Sequence, residues 1–434
     1  MLLPAFGMQL MALSAITILT LYSSYYYLNR DNFTSTKNGY STLIPSLGDM
    51  LILKSKPSTI ADYLARERIV VALNNDAPVS VHISTIGWFH MDPSPLLLIP
   101  NCPIRCEFSR NPNDDDFVSE EQQRQAATKD GILSLMFQNF PRNKPSVQVF
   151  GSGSHPKFQR WILFAMEPQF YYDFYANQTW LDQNRVDLFL NFHEDMAQVP
   201  VSYVEKPDLM VKDVYFNIQE FVQHNQNHPH QRRPFMSWFS SRHTDMRAIW
   251  GPGMAKVLGP EFHIFSTGQY KNISNGILPQ PCLATGDDKL VARTCATAFY
   301  PFTLSIENCF ETDYASEKLW QAFESGVVPV YAGPPNVRDF VPKGSTIFIE
   351  DFESPEKLAA YLKEVAADVR KYEKFHEWRK QPEREWPEGF KLKMKLSLKN
   401  MQCNLCVELA RLRYLEKPEV IQAMDGMTQA VYAA

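Results

Sequence analysis

The sequence predicts an α/β protein of two lobes, each built on a wound parallel sheet, with the lobes facing one cleft. Three observations carry this expectation. The 434 residues exceed what one hydrophobic core usually organises, so two cores are expected. Short apolar runs without a period, "RWILFAM" (160–166) and "VDLFLNF" (186–192), have the signature of strands buried on both faces. In the second half, such runs alternate with amphipathic helical stretches, the pattern of parallel sheets crossed over by helices.

From the N-terminus, residues 2–29 carry no charged side chain, are long enough to cross a bilayer, and end in a Tyr cluster before Arg30. A membrane anchor (1–30) and a cleaved secretory signal are the two readings, and the length of the run favours the anchor. Residues 31–68 mix Asn, Ser, Thr and Lys with short apolar pieces and suit a stem. "RIVVALNN" (68–75) and "PVSVHISTIGWF" (78–89) read as strands opening a first lobe, 69–225, while "RNPNDDDFVSEEQQRQAATKDG" (110–131) reads as a solvated loop or helix. "QHNQNHPHQRRP" (223–234) has little to pack and ends in Pro. It reads as a linker, set at 226–234, with His224, His228 and His230 solvated rather than metal-bound.

A second lobe, 235–385, opens with the strand "PFMSWFS". The helical stretch "TDMRAIWGPGMAKVLG" follows, stopped by Gly259, and then the strand "FHIFSTG". "FYPFTLSI", a helix from Ser316 to Ser325, and "VVPVYAG" make a strand, helix, strand unit. Residues 386–434 form a C-terminal segment tied back to the first lobe.

Charge and cysteine usage bound the function. The balance of 43 basic and 48 acidic residues, net −5, gives no electrostatic footprint for nucleic acid. "CPIRC" (Cys102, Cys106) and "CNLC" (Cys403, Cys406) have spacings that fit either a four-thiolate zinc site or disulfides, and an oxidising lumen favours disulfides of unassigned connectivity. Seven cysteines leave at least one thiol free if no bond is intermolecular. Sequons at Asn32, Asn177 and Asn272 lean the same way, toward a lumenal body. The charges flanking the apolar segment, Arg30 and Lys37 after it and none before, lean against that orientation.

The chemistry concentrates in "ENCFETDYASEKLWQAFESGVVPVYAGPPN" (307–336). Ser316 is placed to cap the helix, Leu319, Trp320 and Phe323 make its buried stripe, and Gly326 ends it. Glu307, Asn308, Asp313, Tyr314, Glu317 and Lys318 crowd one helix N-terminus at the C-terminal ends of strands, where α/β sheets bind ligands. The positive helix end and Lys318 suit a diphosphate, and Glu317 suits ribose hydroxyls. On a helix standing alone, Glu317 would merely complement the dipole and Lys318 would be solvated.

The full pattern resembles the α1,3/4-fucosyltransferases. Phe302, Glu307-Asn308, Asp313-Tyr314, Glu317-Lys318, Gly326, Pro329-Val330 and Gly333-Pro334 stand at the spacing of that family's donor signature. The resemblance covers most of the chain beyond the stem and is densest over 235–380 and at "CNLC". It implies two Rossmann-like lobes of the GT-B type, GDP-fucose as donor, and a Golgi membrane protein with its catalytic body in the lumen. It further implies that Glu167, in "RWILFAMEP", is the catalytic base. Ser240, Ser241 and Arg247, in "FSSRHTDMR", would contact the donor together with Glu307, Asn308, Tyr314, Glu317 and Lys318. "YYDF" after Glu167 looks more like the plant-type core α1,3-fucosyltransferases and their protein-directed relatives than like the Lewis-antigen enzymes. The chain departs from the family pattern at Ser240-Ser241, which lacks the usual Asn, at Cys309, where Ser or Thr is common, and at Ser316, where Thr is usual.

The expected reaction is inverting transfer of fucose from GDP-β-L-fucose to a GlcNAc hydroxyl of a glycoprotein N-glycan, with no obligatory metal and divalent cations at most stimulatory. "DDD" (114–116) and "DD" (287–288) imitate a metal-binding Asp-x-Asp but read as solvated turns. Lewis-type and protein O-fucosyl transfer are the neighbouring alternatives. A catalytically silent glycan-binding protein on the same fold is the reading from another class.

Overall fold

The computed structural model describes residues 46–74, 78–83, 96–99, 101–110, 130–135, 160–171, 177–183, 186–266, 268–283 and 289–423. The expected anchor, Asn32, the polar stretch 111–129 and both Asp clusters lie outside these residues. Among the described residues no helix is long and apolar enough to cross a membrane.

The chain divides into two compact units, residues 1–54 with 415–434, and residues 55–414. In the smaller, a helix spans Leu47–Lys54. Ser46 and Asp49 cap it reciprocally, the Asp49 carboxylate accepting the Ser46 N–H and the Ser46 hydroxyl accepting the Asp49 N–H, both at 3.1 Å.

The described residues of the larger unit form two sheets. The first is ordered β2-β3-β1-β4-β5-β6-β7 from strands β1 (Val79–Ile83), β2 (Leu96–Leu98), β3 (Cys106–Arg110), β4 (Gly131–Leu135), β5 (Arg160–Phe164), β6 (Leu188–Asn191) and β7 (Val199–Pro200). Only the β2–β3 pair is antiparallel. The second is parallel throughout and ordered β12-β11-β10-β8-β9, from β8 (Met236–Phe239), β9 (Phe262–Phe265), β10 (Phe302–Ile306), β11 (Val328–Ala332) and β12 (Ile347–Phe348). The aperiodic apolar runs are indeed the central strands, β5, β6, β10 and β11, with inward and outward side chains alike buried.

Two expected elements are corrected. "RIVVALNN" is not a strand: it closes helix α1 (Ile60–Asn74). The β-branched cluster sits on a helix begun upstream by a Thr59/Asp62 cap, and Arg66, Val70 and Leu73 are buried at helical spacing. The first half of the expected linker is helical as well, because Asn217 caps α2 (Ile218–Asn227) by accepting the Glu220 N–H at 3.0 Å, and Ile218 and Phe221 anchor it. His224 and His228 stack at 4.6 Å and bond backbone carbonyls.

α3 (Asp245–Leu258) starts at its Thr244 cap and ends at Gly259 (φ 55°). α4 (Glu317–Glu324) has Ser316 and Ser325 as caps, and its Leu319, Trp320 and Phe323 are almost wholly buried, contributing about 1.5–3 kcal/mol each. At Gly326 (φ 70°) a Cβ would lie 2.8 Å from the Val214 carbonyl oxygen, so conformation and space both demand glycine. Helix α5 (Leu398–Leu415) is stapled to the start of β3 by Cys106–Cys406 and to the loop before it by Cys102–Cys403, which settles the zinc alternative in favour of disulfides. Cys282–Cys295 closes a short loop and Cys309 is left as a thiol, which burial pushes up to about 11.

The C-terminal end of α4 meets the segment leaving the first sheet. One Glu324 oxygen accepts the Glu205 and Lys206 N–H groups, at 3.0 and 2.8 Å, while the other is buried without a partner. Burial raises this carboxyl to about 7. The unfolded group ionises near 4.5, so between about 4.5 and 7 the folded chain holds the extra proton and stability falls as pH rises through that window. Relative to Glu324→Gln, the parent should lose up to about 3 kcal/mol between pH 5 and 8. Parallel pH dependences of the two melting temperatures would contradict this.

Candidate active site

The second sheet delivers its candidate residues at the C-terminal ends of β8 and β10. After β8, Ser240 is buried, with its N–H bonded to the Phe265 carbonyl at 3.2 Å, and Ser241 is exposed with its carbonyl accepting the Gln269 N–H. Arg247, in the first turn of α3, is 3% exposed. Its Nε and Nη2 donate to the Ile306 carbonyl at 3.0 and 2.6 Å, and its Nη1 donates to the Arg242 carbonyl at 3.3 Å. A guanidinium has five N–H groups, so two remain to meet an incoming anion. Burial lowers its pKa, with the charges of Glu307 and Glu317 opposing.

Glu307, directly after β10, is fully buried. Its oxygens accept the Ser316 N–H (2.8 Å), the Ser316 hydroxyl (2.6 Å) and the Tyr331 hydroxyl (3.2 Å), and Lys318 Nζ lies 3.1 Å away. A carboxylate so enclosed shapes the start of α4. Lys318 Nζ also donates to the Ser316 hydroxyl (2.6 Å) and pairs with Glu317 at 3.1 Å. Glu317 in turn binds Arg293 at 3.0 Å, a cation that lies on the helix Lys289–Thr297. Burial would raise the Glu317 carboxyl, but Lys318 and Arg293 outweigh it and hold the pKa well below the ordinary value. Three cations, Arg247, Arg293 and Lys318, thus face two carboxylates around one helix N-terminus, leaving a net positive charge there. Asn308 adds a buried side-chain oxygen with no hydrogen-bond partner.

The first sheet meets this loop at the ends of β5 and β6. Glu167 is half-buried three residues after β5. The Met166 carbonyl before it accepts the Tyr203 hydroxyl, and Tyr203 packs edge-on against Tyr314 at 5.9 Å. Tyr314 is buried, also touches Phe192 at 4.9 Å, and has its phenol pushed well above the usual value by burial, then by Tyr203 and by the charges of Glu307, Glu167 and Glu317. Glu311 accepts the Gln169 and Phe170 N–H groups at 3.0 and 2.7 Å, with His193 Nε2 at 3.4 Å. Asp313, in the left-handed region (φ 67°), accepts the Glu194 N–H at 3.1 Å and the Asn336 amide at 2.8 Å. Lys393 lies 3.5 Å from Asp313 and 2.7 Å from Glu194.

Of the sequence-predicted residues, Arg247, Asn308, Tyr314, Glu317 and Lys318 gather around one helix start, Ser240 and Ser241 lie at the neighbouring strand end, and Glu167 enters from the opposite sheet. Sequence reasoning missed Arg293, Glu311, His193 and Lys393. Only Glu311 had a visible signal, as an unassigned acid inside the motif. Asn177 is exposed but its side-chain oxygen accepts the Thr179 and Trp180 N–H groups, whereas Asn272 is exposed on a short turn. No group of three or more His, Cys, Asp or Glu side chains suited to a metal occurs among the described residues.

A wound parallel sheet with cations and a helix N-terminus at its strand ends belongs to the class of α/β proteins that bind anionic ligands at that edge. More particularly, residues 275–425 match the sequence profile "Glycosyltransferase family 10 (fucosyltransferase) C-term". Relatives include the alpha-(1,4)-fucosyltransferase of Arabidopsis thaliana, 39% identical over 117 residues covering 27% of this chain and 28% of the relative. The GDP-fucose protein O-fucosyltransferase 3 of Bos taurus is 41% identical over 83 residues, 19% and 17% of the two chains. The mouse 4-galactosyl-N-acetylglucosaminide 3-alpha-L-fucosyltransferase 9 is 44% identical over 96 residues, 22% and 26% of the two. The matches thus span about a quarter of these relatives or less. Among solved structures, an alpha1,3-fucosyltransferase with GDP aligns over 76% of this chain and 92% of its own at 13% identity and a TM-score of 0.43.

Proposed function

We propose that the protein is an inverting α1,3-fucosyltransferase of the GT-B type that moves fucose from GDP-β-L-fucose to a GlcNAc hydroxyl of a glycoprotein N-glycan, at the core. The observation that carries the reading is the convergence on Tyr314. Tyr314 packs on Phe192 and on Tyr203, whose hydroxyl donates to the Met166 carbonyl next to Glu167, and Glu311 accepts the Gln169 and Phe170 N–H groups, so the turn bearing this carboxylate lies against the loop that leads into the cationic helix start.

The donor's diphosphate sits against the N-terminus of α4, within reach of Lys318, Arg293 and the two uncommitted N–H groups of Arg247. Glu317, held ionised by Lys318 and Arg293, accepts a ribose hydroxyl, and the Asn308 oxygen accepts a further donor hydroxyl. Glu167 takes the proton from the acceptor hydroxyl as that oxygen attacks the anomeric carbon. The bond to the diphosphate breaks on the opposite face and GDP departs, so a β donor yields an α product. The leaving diphosphate gains charge as the bond breaks, and the cations stabilise that state more than the bound donor. No step needs a metal, and divalent cations stimulate at most. Residues 1–30 anchor the protein in the Golgi membrane with its body in the lumen, where the three disulfides persist.

Incubating the soluble body, residues 31–434, with GDP-fucose and a panel of defined glycans tests the acceptor. Fucosylation of the innermost GlcNAc of an N-glycan, read by mass spectrometry with linkage analysis, is the expected result. Exclusive modification of lactosamine or of a peptide hydroxyl would move the protein to one of the other two fucosyl-transfer readings.

A further inference from the structure

The turn that carries Glu167 out of β5 is fastened to the opposite loop as well as to its own lobe, where the Gln169 side-chain amide donates to Met196 Sδ at 2.8 Å. Both N–H groups that follow Pro168, those of Gln169 and Phe170, end on the two oxygens of Glu311, at 3.0 and 2.7 Å. The Tyr171 hydroxyl donates to the Asn308 carbonyl at 3.3 Å, one turn of chain from Glu311. His193, just past β6, brings its Nε2 to 3.4 Å from the same carboxylate. Glu311 therefore ties the chain leaving β5 to the loop that joins β10 to α4, with His193 from the neighbouring strand end alongside.

We propose that Glu311 is a positioning residue for the Glu167 base: it holds the 167–171 turn against the donor loop, so that the carboxylate is aligned only when the two half-sites are joined. The proposal rests on the reading of Glu167 above. A carboxylate suits the task because each oxygen accepts a separate backbone N–H. A carboxamide of the same shape keeps one acceptor and turns an N–H₂ toward the other donor. The Glu311 oxygens face Gln169, Phe170 and His193 rather than the cations at the start of α4, so loss of the clamp should misplace the base while leaving the nucleotide site whole.

The test uses Glu311→Gln, Glu167→Gln and the double variant in the full-length chain. Each is measured for GDP affinity by calorimetry, melting temperature, kcat and hydrogen exchange at the Gln169 and Phe170 amides. Glu311→Gln should lower kcat by about 10- to 100-fold, the cost of a misplaced reacting group, with GDP affinity and melting temperature close to the parent and faster exchange at both amides. The double variant should transfer no more slowly than Glu167→Gln alone, because the clamp acts through that side chain. Unchanged kcat in Glu311→Gln, a loss of GDP affinity in proportion to kcat, or additive losses in the double variant would each overturn the positioning role. Failure of the functional reading looks different. A parent chain that binds GDP but transfers no fucose would remove the reaction and the positioning role with it. Full transfer by Glu167→Gln would remove the base assignment and with it a clamp that works through that base.

Discussion

Glu167→Gln is expected to lower fucosyl transfer by about 10²- to 10⁴-fold, the usual contribution of a positioned general base. GDP affinity should stay within about twofold, since the amide keeps the shape of the carboxylate and adds no charge near the cations of α4. The reason lies in the division of the cleft. Glu167 stands at the end of β5, whereas Arg247, Arg293 and Lys318 all belong to the second sheet's side of the site. Steady-state kinetics and GDP calorimetry on one preparation separate the two halves. Loss of both properties together would place Glu167 in nucleotide binding, and undiminished transfer would leave the chain without this base.

Lys318→Ala should act on stability and on nucleotide affinity at once. Its ammonium is 3.1 Å from Glu307, which is fully buried, and 3.1 Å from Glu317, so its removal leaves two carboxylates facing each other around Ser316. Breaking such an enclosed pair costs about 3 kcal/mol or more, visible as a lower melting temperature. GDP binding should weaken by about 10- to 100-fold, the worth of one charge-assisted bond to a phosphate. Adding Glu307→Gln to Lys318→Ala restores part of the charge balance and should recover stability without recovering GDP affinity. A double variant that regains both would make Lys318 a structural cation only.

Much of this arrangement was legible in the sequence, and the parts that were not share a physical cause. The cap, stripe and stop of α4 are local, set by Ser316, by Leu319, Trp320 and Phe323, and by Gly326, so the helix appears where its pattern puts it. Aperiodic apolar runs identified β5, β6, β10 and β11 because burial on both faces removes any alternation. "RIVVALNN" misled because its β-branched residues outweighed a capping signal nine residues upstream, and α2 was missed because a polar helix needs only Ile218 and Phe221 to dock. Pairing of Cys102 with Cys403 and of Cys106 with Cys406 depends on how α5 lies on β3, which no spacing encodes. Glu307 and Glu311 are the instructive pair. Both are acids of one motif, yet only tertiary structure distinguishes the carboxylate enclosed beneath Ser316 from the one reaching across to the Glu167 turn.

The most direct measurement is proton NMR of the reaction of residues 31–434 with GDP-β-L-fucose and an N-glycan acceptor, following the anomeric signal of the product and the release of GDP together. A single displacement between Glu167 and the cationic start of α4 predicts an α-linked fucose appearing one for one with GDP. A β-linked product, or GDP released only as the donor is hydrolysed to free fucose, would contradict it.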